Sequence, residues 1–540
     1  MRPPARPLLL LFTLIVLGLS PRFTTTLAAA SEDTNTIESL TPGQARKLAR
    51  TFPGVGVGVE IKGSGKVTLS ACLPLNGLKS VDAKLAEALA GYRKGPLLLN
   101  GLTTLSDEAA QALAQYTGRL YLDGLTSLST EAAQALAQHQ GDVSLNGLAT
   151  LSEEAAQALA QQKGHSLLLN GLTTLPAAVA TSLARRPGTL VLNGLTTLSD
   201  EAAQALAQHT GRLCLDGLTA LSPETAQALA QHTGRLCLGG LTALSPAAAQ
   251  TLAQHQGDLS LNGLTTLSDD LAHTLARRGG HALILDGLTS LSTEAARALA
   301  QHQGDVSLNG LATLSDEATR ELARQKHYAL FLNGLTTLSE EAARALAQHK
   351  GHSLVLNGLT TLPVAVATSL ARHPGTLVLN GLTTLSDETA QTLAQHTGRL
   401  CLEGLTALTN AELAAKLLLQ SIPPKLNSLT TLSEEASKAL AAAEEWDGNL
   451  PALTELDSPD SVAIAQSLAT RKSPLSLPNL KKISPKTLSA LIDKKDVEIP
   501  FVETLELIPE PDGSRTDDFI IPEWLEERQK QKQRAAEAAD

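Results

Sequence analysis

The triplet x-Gly-Leu recurs fifteen times, with Gly at 77, 101, 124, 147, 171, 194, 217, 240, 263, 287, 310, 334, 358, 381 and 404, and every spacing is 23 or 24 residues. A unit this short cannot enclose a core alone, so neighbouring units must stack and share one. One copy, residues 119–141, reads RLYLDGLTSLSTEAAQALAQHQG. Residues 123–155 match 286–318 at 31 of 33 positions, so a block of several units has been duplicated. Weaker copies follow near Asn427, Pro451 and Pro478, and a strand-like VEIPFVETLEL starts at Val497. Aromatic residues make up only 2% of the chain, as expected when one repeated unit sets the composition.

Each unit decodes locally. Leu120-Tyr121-Leu122 alternates as a short strand does, with both Leu pointing inward. Asp-Gly or Asn-Gly is expected to end the strand, with Gly supplying the turn conformation. Leu125 and Leu128 fill the core below it. The next column carries Ser in eleven of fifteen units, with Thr409 and Asp82 in two others, and reads as a helix N-cap. Pro223 and Pro246 follow such a Ser at the first helical position, where Pro is tolerated. Acidic pairs such as Asp107-Glu108 sit in the first turn, where the helix dipole favours them. Ala133, Leu136 and Ala137 form the buried stripe, and Gly141 is expected as a C-cap.

One strand and one short helix per unit imply an α/β solenoid with a parallel sheet. Strands spaced ~4.8 Å and helices spaced ~8–10 Å cannot match on a straight rod, so the expected form is a horseshoe with the sheet inside and short helices outside. The pattern LxLxGLTxLSxExAxxLA resembles the leucine-rich repeat, and is most similar to its cysteine-containing subclass, LxLxxCxxITDxGLxxLA. Leu125, Leu128, Ser129 and Leu136-Ala137 fall on that pattern, and the resemblance covers about residues 67–480. Two departures stand out: Leu occupies the Cys position, as at Leu125 and Leu148, and the unit is two or three residues shorter. The resemblance implies the fold and a binding role. The subclass often serves as a substrate receptor behind an F-box, and the chain shows no such segment.

The N-terminus reads as a secretory signal peptide over residues 1–30. A basic start, Arg2 to Arg6, precedes twelve apolar residues, Leu8 to Leu19, and Ala28-Ala29-Ala30 offers a cleavage site before Ser31. The expectation is an exported protein, in the periplasm, at the cell surface or secreted. No later segment approaches the 18 apolar residues of a membrane span. A kept leader acting as an anchor is the alternative. The remaining boundaries are expected as an N-terminal cap and first strand over 31–76, regular repeats over 77–408, degenerate repeats and a C-terminal cap over 409–508, and a tail over 509–540. Trp446 and Phe501 are candidates to seal the core of the C-terminal cap.

The chemistry is sparse. A net charge of −11 disfavours nucleic acid as a partner. The residue between the two strand Leu should face outward, and that column (Tyr121, Ser144, Cys214, Cys237, Phe331, Cys401 and others) holds no acid, base or His. Catalytic, cofactor and metal sites are therefore not expected. Binding hot spots favour Tyr, Trp and Arg, which singles out Tyr121 with Arg119, and Phe331 with Tyr328. Eight His share one column: 139, 209, 232, 255, 302, 349, 373 and 396. At helix spacing, ~8–10 Å, they stand too far apart for a shared metal, which needs donors ~2 Å away, and are expected as solvated residues near helix C-termini. Cys214 and Cys237 are expected to remain unbonded, because parallel Cβ vectors keep them apart. The stretches Gly54–Gly58 and Gly63–Lys66 lack the context of phosphate-binding loops. Thr stands two positions after Gly in twelve of fifteen units, either bonding the turn backbone or forming an outward ladder. In the tail, Phe519 and Trp524 mark either a solvated segment with a marginal helix or a docking peptide that folds on contact. The functional expectation is a non-catalytic exported scaffold that binds a protein or cell-envelope polymer. The alternative is a self-associating structural protein of the envelope.

Overall fold

The computed structural model describes residues 34–52, 54–61, 65–325, 328–423, 425–510 and 523–539. The leader lies outside the described residues, as does Phe519. The chain divides into two compact units, residues 1–288 with 302–307, and residues 289–301 with 308–540.

The first unit opens with a helix, Pro42–Thr51, held by a capping box between Thr41 and Gln44. The strand Val55–Ile61 then pairs antiparallel with Gly65–Pro74, so Gly54 to Gly58 belong to a hairpin and precede no helix. From there each strand pairs in parallel with the next, in chain order, from Gly65–Pro74 through Leu97–Leu98 and Leu120–Tyr121 to Val306–Ser307. In the second unit the same order runs from Leu330–Phe331 through Ser353–Val355 and Thr376–Val378 to Leu400–Cys401. Each of these strands after the hairpin is two or three residues long, and in the regular repeats a helix of seven or eight residues follows. The chain is an α/β solenoid.

The local logic of the repeat holds. Leu120, Leu122 and Leu125 are fully buried. Ser129 Oγ accepts from the Ala132 N–H at 3.0 Å, and all eleven Ser of that column cap a helix in the same way. Asp82 also caps, accepting from Leu85 N–H at 2.7 Å. Thr409 does not: the cap there moves one residue on to Asn410, whose side chain accepts from Leu413 N–H at 2.9 Å. Pro176 and Pro363 fill the column in two units and leave their helices without a side-chain cap.

The glycines need a different account from the expected one. Among the described residues only Gly54, Gly188 and Gly448 have positive φ, so the repeated turn glycine does not serve as a left-handed residue. It serves close approach: a Cβ on Gly194 would lie 1.9 Å from the Asn170 carbonyl oxygen of the preceding repeat, and one on Gly381 1.9 Å from that of Asn357. Gly141 is not a C-cap either. Its helix, Thr130–Leu136, ends on Ala137 in right-handed geometry, and a Cβ on Gly141 would meet the Gly118 carbonyl at 2.1 Å. Both glycine columns let one repeat press backbone against the last.

The column after the strand, mostly Asn, ties the repeats together. In the first unit Asn100 Oδ1 accepts from Asp123 N–H at 3.0 Å, Asp123 Oδ1 from Asn146 N–H at 3.0 Å, and Asn146 Oδ1 from Asn170 N–H at 2.9 Å. In the second unit Asn333, Asn357 and Asn380 do the same toward Asn357, Asn380 and Glu403. Gly239 stands in this column with no side chain to offer.

Toward the C-terminus of the second unit the strand path splits. Ala407–Leu408 pairs with Thr431–Leu432, Leu475–Ser476 with Val497–Glu498, and Glu455–Leu456, Lys482–Ile483 and Glu506–Leu507 form a three-stranded sheet. Trp446 is buried, with the Arg471 guanidinium 4.8 Å above its ring, whereas Phe501 is 41% exposed and does not seal the core. The final helix, Glu523–Ala539, docks back onto this region. Leu525 is buried, and Arg528 Nη1 donates to the Lys495 and Val497 carbonyls at 2.9 and 3.2 Å. Neither expectation for the tail, solvated or awaiting a foreign surface, describes that helix. It binds its own chain.

Candidate binding surface

The strand face is more closed than alternation implies. Strands one spacing apart place like side chains ~4.8 Å apart, and flanking side chains fold over them. In the first unit Leu98, Ser144, Val191, Cys214, Cys237 and Ser260 are all buried. Ser307 Oγ donates to Asp286 Oδ1 at 2.6 Å, and Arg212 Nε donates to Cys237 Sγ at 3.4 Å. Val355 and Cys401 are buried in the second unit. An outward-facing column thus becomes a second, thin layer of packing.

Tyr121 and Leu168 break this floor in the first unit, both half-buried, and Tyr121 packs against Cys72 and Leu98. The Arg119 guanidinium lies close to the Tyr121 hydroxyl and pairs with Asp142 through Nε at 3.1 Å. Burial pushes the Tyr121 phenol above its usual range. In the second unit Phe331 lies in the strand Leu330–Phe331 and Tyr328 two residues before it, each half-buried. Trp524, also half-buried, sits on the docked terminal helix.

The His column is the largest departure from expectation. All eight residues are buried, none more than 2% exposed. They follow the strand spacing and not the helix spacing, because the chain has already turned inward when it reaches them. In the first unit His209, His232 and His255 stack with ring centroids 6.0 and 5.9 Å apart; in the second His349, His373 and His396 stack at 5.6 and 6.5 Å. His139 Nε2 lies 3.0 Å from the Gly118 carbonyl oxygen and His209 Nε2 3.0 Å from that of Gly188. Other members of the column do the same work. The Tyr116 hydroxyl donates to the Gly95 carbonyl, Gln162 Nε2 to that of Gly141 at 2.6 Å, and Arg186 Nη2 to that of Gly164 at 2.7 Å. Burial pulls every one of these His below its usual range, His255, His349 and His373 to about 4. The signal was present in the sequence: from Tyr92 to His396 every member of the column carries an N–H or O–H donor, a restriction that a solvated column has no reason to obey.

Four cysteines are present and none is disulfide-bonded. Cys214 and Cys237 are register partners and pack against each other. The adjacent Cys214 thiol, with the Arg212 and Arg235 guanidiniums, pulls Cys237 down to about 6. The Cys237 neighbour and burial push Cys214 up. Among the described residues no three His, Cys, Asp or Glu side chains come together as a metal cluster would require. The Thr column two positions after Gly is exposed in eleven of its twelve members. Thr406 is the half-buried one, and its hydroxyl donates to the Thr383 carbonyl at 3.0 Å, so the turn-bonding reading holds there.

No family model matches the chain, and no curated protein matches it. Among solved structures, it is similar to a leucine-rich-repeat protein of Leptospira interrogans, with 22% identity over 86% of this chain and 99% of that one, at a TM-score of 0.30. It is similar to an internalin of Listeria monocytogenes, with 15% identity over 63% of this chain and 93% of that one, at 0.30. It is also similar to Toll from the Drosophila Toll–Spatzle complex, with 13% identity over 82% and 65%, at 0.31. Those scores carry no argument of their own. The leucine-rich-repeat fold stands on the repeat, its in-register parallel strands and its capped helices.

Proposed function

We propose that the protein is an exported, non-catalytic leucine-rich-repeat scaffold that binds a protein or a cell-envelope polymer. The carrying observation is the contrast along the strand face of the first unit: a floor of buried side chains from which Tyr121 emerges, held by Arg119 and Asp142. A rigid aromatic paired with Arg is the chemistry of an interface anchor. The leader pattern supports export. Among the described residues no helix is long and apolar enough to cross a membrane.

The test places a photo-crosslinking residue at 121, at 331 and, as control, at Gln134 on the exposed helix face, in the full chain expressed in its source cell. An adduct of one defined mass from 121 or 331, absent from 134, supports the scaffold. Equal labelling at all three overturns this assignment of the surface. Sequencing the mature N-terminus tests export, with a start at Ser31 expected.

A second reading, self-association, has its own observation. Among the described residues, the large apolar side chains that stand exposed are Leu419 (83%), Ile422 (56%), Leu507 (47%) and Phe501 (41%), all in the second unit. Light scattering of residues 31–540 separates the readings. A mass that grows with concentration, and that Leu419→Ser with Ile422→Ser abolishes, favours assembly. A constant monomer mass removes it.

A further inference from the structure

We propose that Cys214 and Cys237 form a two-coordinate thiolate site for a soft monovalent metal ion, Cu(I), closed over by Arg212 and Arg235. The strands Leu213–Cys214 and Leu236–Cys237 are parallel neighbours, and their register sets the two cysteines side by side. Neighbouring strands are ~4.8 Å apart. A disulfide needs its sulfurs at ~2.05 Å and its Cβ atoms drawn toward each other, which parallel side chains on flat neighbours oppose. Two thiolate–metal bonds of ~2.3 Å placed in line span ~4.6 Å, close to the spacing that the sheet imposes. The pair is thus set too wide for an S–S bond and matches an S–metal–S bridge.

The donor set selects the ion. Thiolates alone favour soft ions such as Cu(I). Zinc wants four ligands, and among the described residues no third His, Cys, Asp or Glu joins this pair. Val191 and Leu168 pack against the two cysteines and give the site an apolar wall. Loading sends whatever thiol protons remain on the pair to solvent and leaves the metal at +1, so the bis-thiolate complex carries a net −1. Two cations stand ready to offset it. Arg212 Nε already donates to Cys237 Sγ at 3.4 Å, and Arg235 Nε is buried with no hydrogen-bond partner. Arg212 and Arg235 are themselves only half-buried, with long side chains that can swing aside for entry. Two comparisons lie within the chain. Arg399-Leu400-Cys401 repeats the Arg-Leu-Cys triplet, but the register partner of Cys401 is Val378. Cys72 likewise faces no second cysteine across its pairing.

The experiment titrates the reduced full chain, without oxygen, with Cu(I) held in a bicinchoninate complex, and counts bound metal by native mass spectrometry. One Cu(I) per chain is expected. Cys214→Ser and Cys237→Ser should each weaken retention at least a hundredfold, while Cys72→Ser and Cys401→Ser leave it unchanged. Both test variants should fold, because Ser144, Ser260 and Ser307 already occupy this column in other repeats; circular dichroism checks this. Failure of the wild type to take Cu(I) from bicinchoninate overturns the site, as does undiminished retention by either test variant.

Discussion

The His232 ring lies flat over the His255 ring, with centroids 5.9 Å apart and planes 9° from parallel, and neither residue is accessible to solvent. A proton on either ring places a charge in a dry site beside its neighbour and, for His255, beside the Arg278 cation. Folding therefore favours the neutral form. In the unfolded chain these His titrate near ~6.5, while in the fold His255, His349 and His373 are held at about 4, chiefly by burial. A depressed folded value contributes stability that is present above the unfolded value and is lost as pH falls toward the folded one. The window is thus pH 6.5 down to 4, and each of the three is worth roughly 3 kcal/mol across it. Denaturant midpoints should be flat from pH 9 to 7 and then fall steeply before most carboxylates protonate. His232→Gln with His255→Gln should flatten the fall, since Gln162 shows that Gln fits the column. Midpoints equal at pH 7 and 4.5 would remove the buried ladder as the acid-sensitive element.

The Asn column predicts changes of both signs. Asn357 Oδ1 accepts the Asn380 N–H at 2.8 Å, so Asn357→Ala should cost about 1–2 kcal/mol by orphaning that donor. Gly239→Asn should do the reverse, gaining about 1 kcal/mol by supplying the acceptor that this repeat lacks and by restricting the unfolded chain. Asp216 is its neighbour one repeat back, and Asn146 following Asp123 shows that Asn fits behind an Asp in this column. Chemical denaturation of both variants against wild type measures the two shifts. Destabilisation by Gly239→Asn would contradict the ladder.

What the sequence made legible was whatever a repeat does to itself. Leu120 and Leu122 alternate, Ser129 caps the helix that starts beside it, and Glu131 sits in that helix's first turn, all within a dozen residues. What stayed hidden was what one repeat does to another. His139 meets the Gly118 carbonyl, Asn146 meets Asn170, and Gly194 meets Asn170, each across 21 to 24 residues of chain. Read within one repeat, a His near a helix end looks solvated and a Gly after Asn looks like a turn. Tyr121 with Arg119 was legible because the two are near neighbours. The closure of the strand face around them was not, since it depends on how far Arg212 and Asp286 fold over adjacent strands.

Close approach of backbone makes the turn glycines sensitive to a single methyl. Gly194→Ala sets Cβ against the Asn170 carbonyl at 1.9 Å, with backbone on both sides and nothing free to yield. The expected loss is about 3 kcal/mol or more, at the upper end of overpacking costs. Gly279→Ala is the matched control: its Cβ would meet nothing within 4 Å, and its φ is not left-handed. It should be neutral or slightly stabilising. Thermal melts of the two variants should differ by several degrees, and equal melts would mean that the turn glycines are interchangeable with Ala.

The terminal helix should come off without unfolding the repeats. Its 17 residues form a helix that is marginal alone, and Leu525 is the one side chain among its described positions that is buried. Leu525→Ala removes that anchor at a cost of about 2–3 kcal/mol, leaving the Arg528 and Gln529 bonds to the Lys495, Val497 and Pro500 carbonyls open to competition from water. Trp446 and Trp524 are the only tryptophans, and Trp446 is buried in the cap. In a Trp446→Phe background the emission therefore reports on Trp524 alone. Leu525→Ala should shift that emission to the red and open residues 523–539 to protease. The unfolding midpoint of the repeats, followed by circular dichroism, should stay within a degree or two. If the midpoint falls together with the helix, the terminal helix is part of the cooperative core. If the emission does not move, Leu525 is not what holds it.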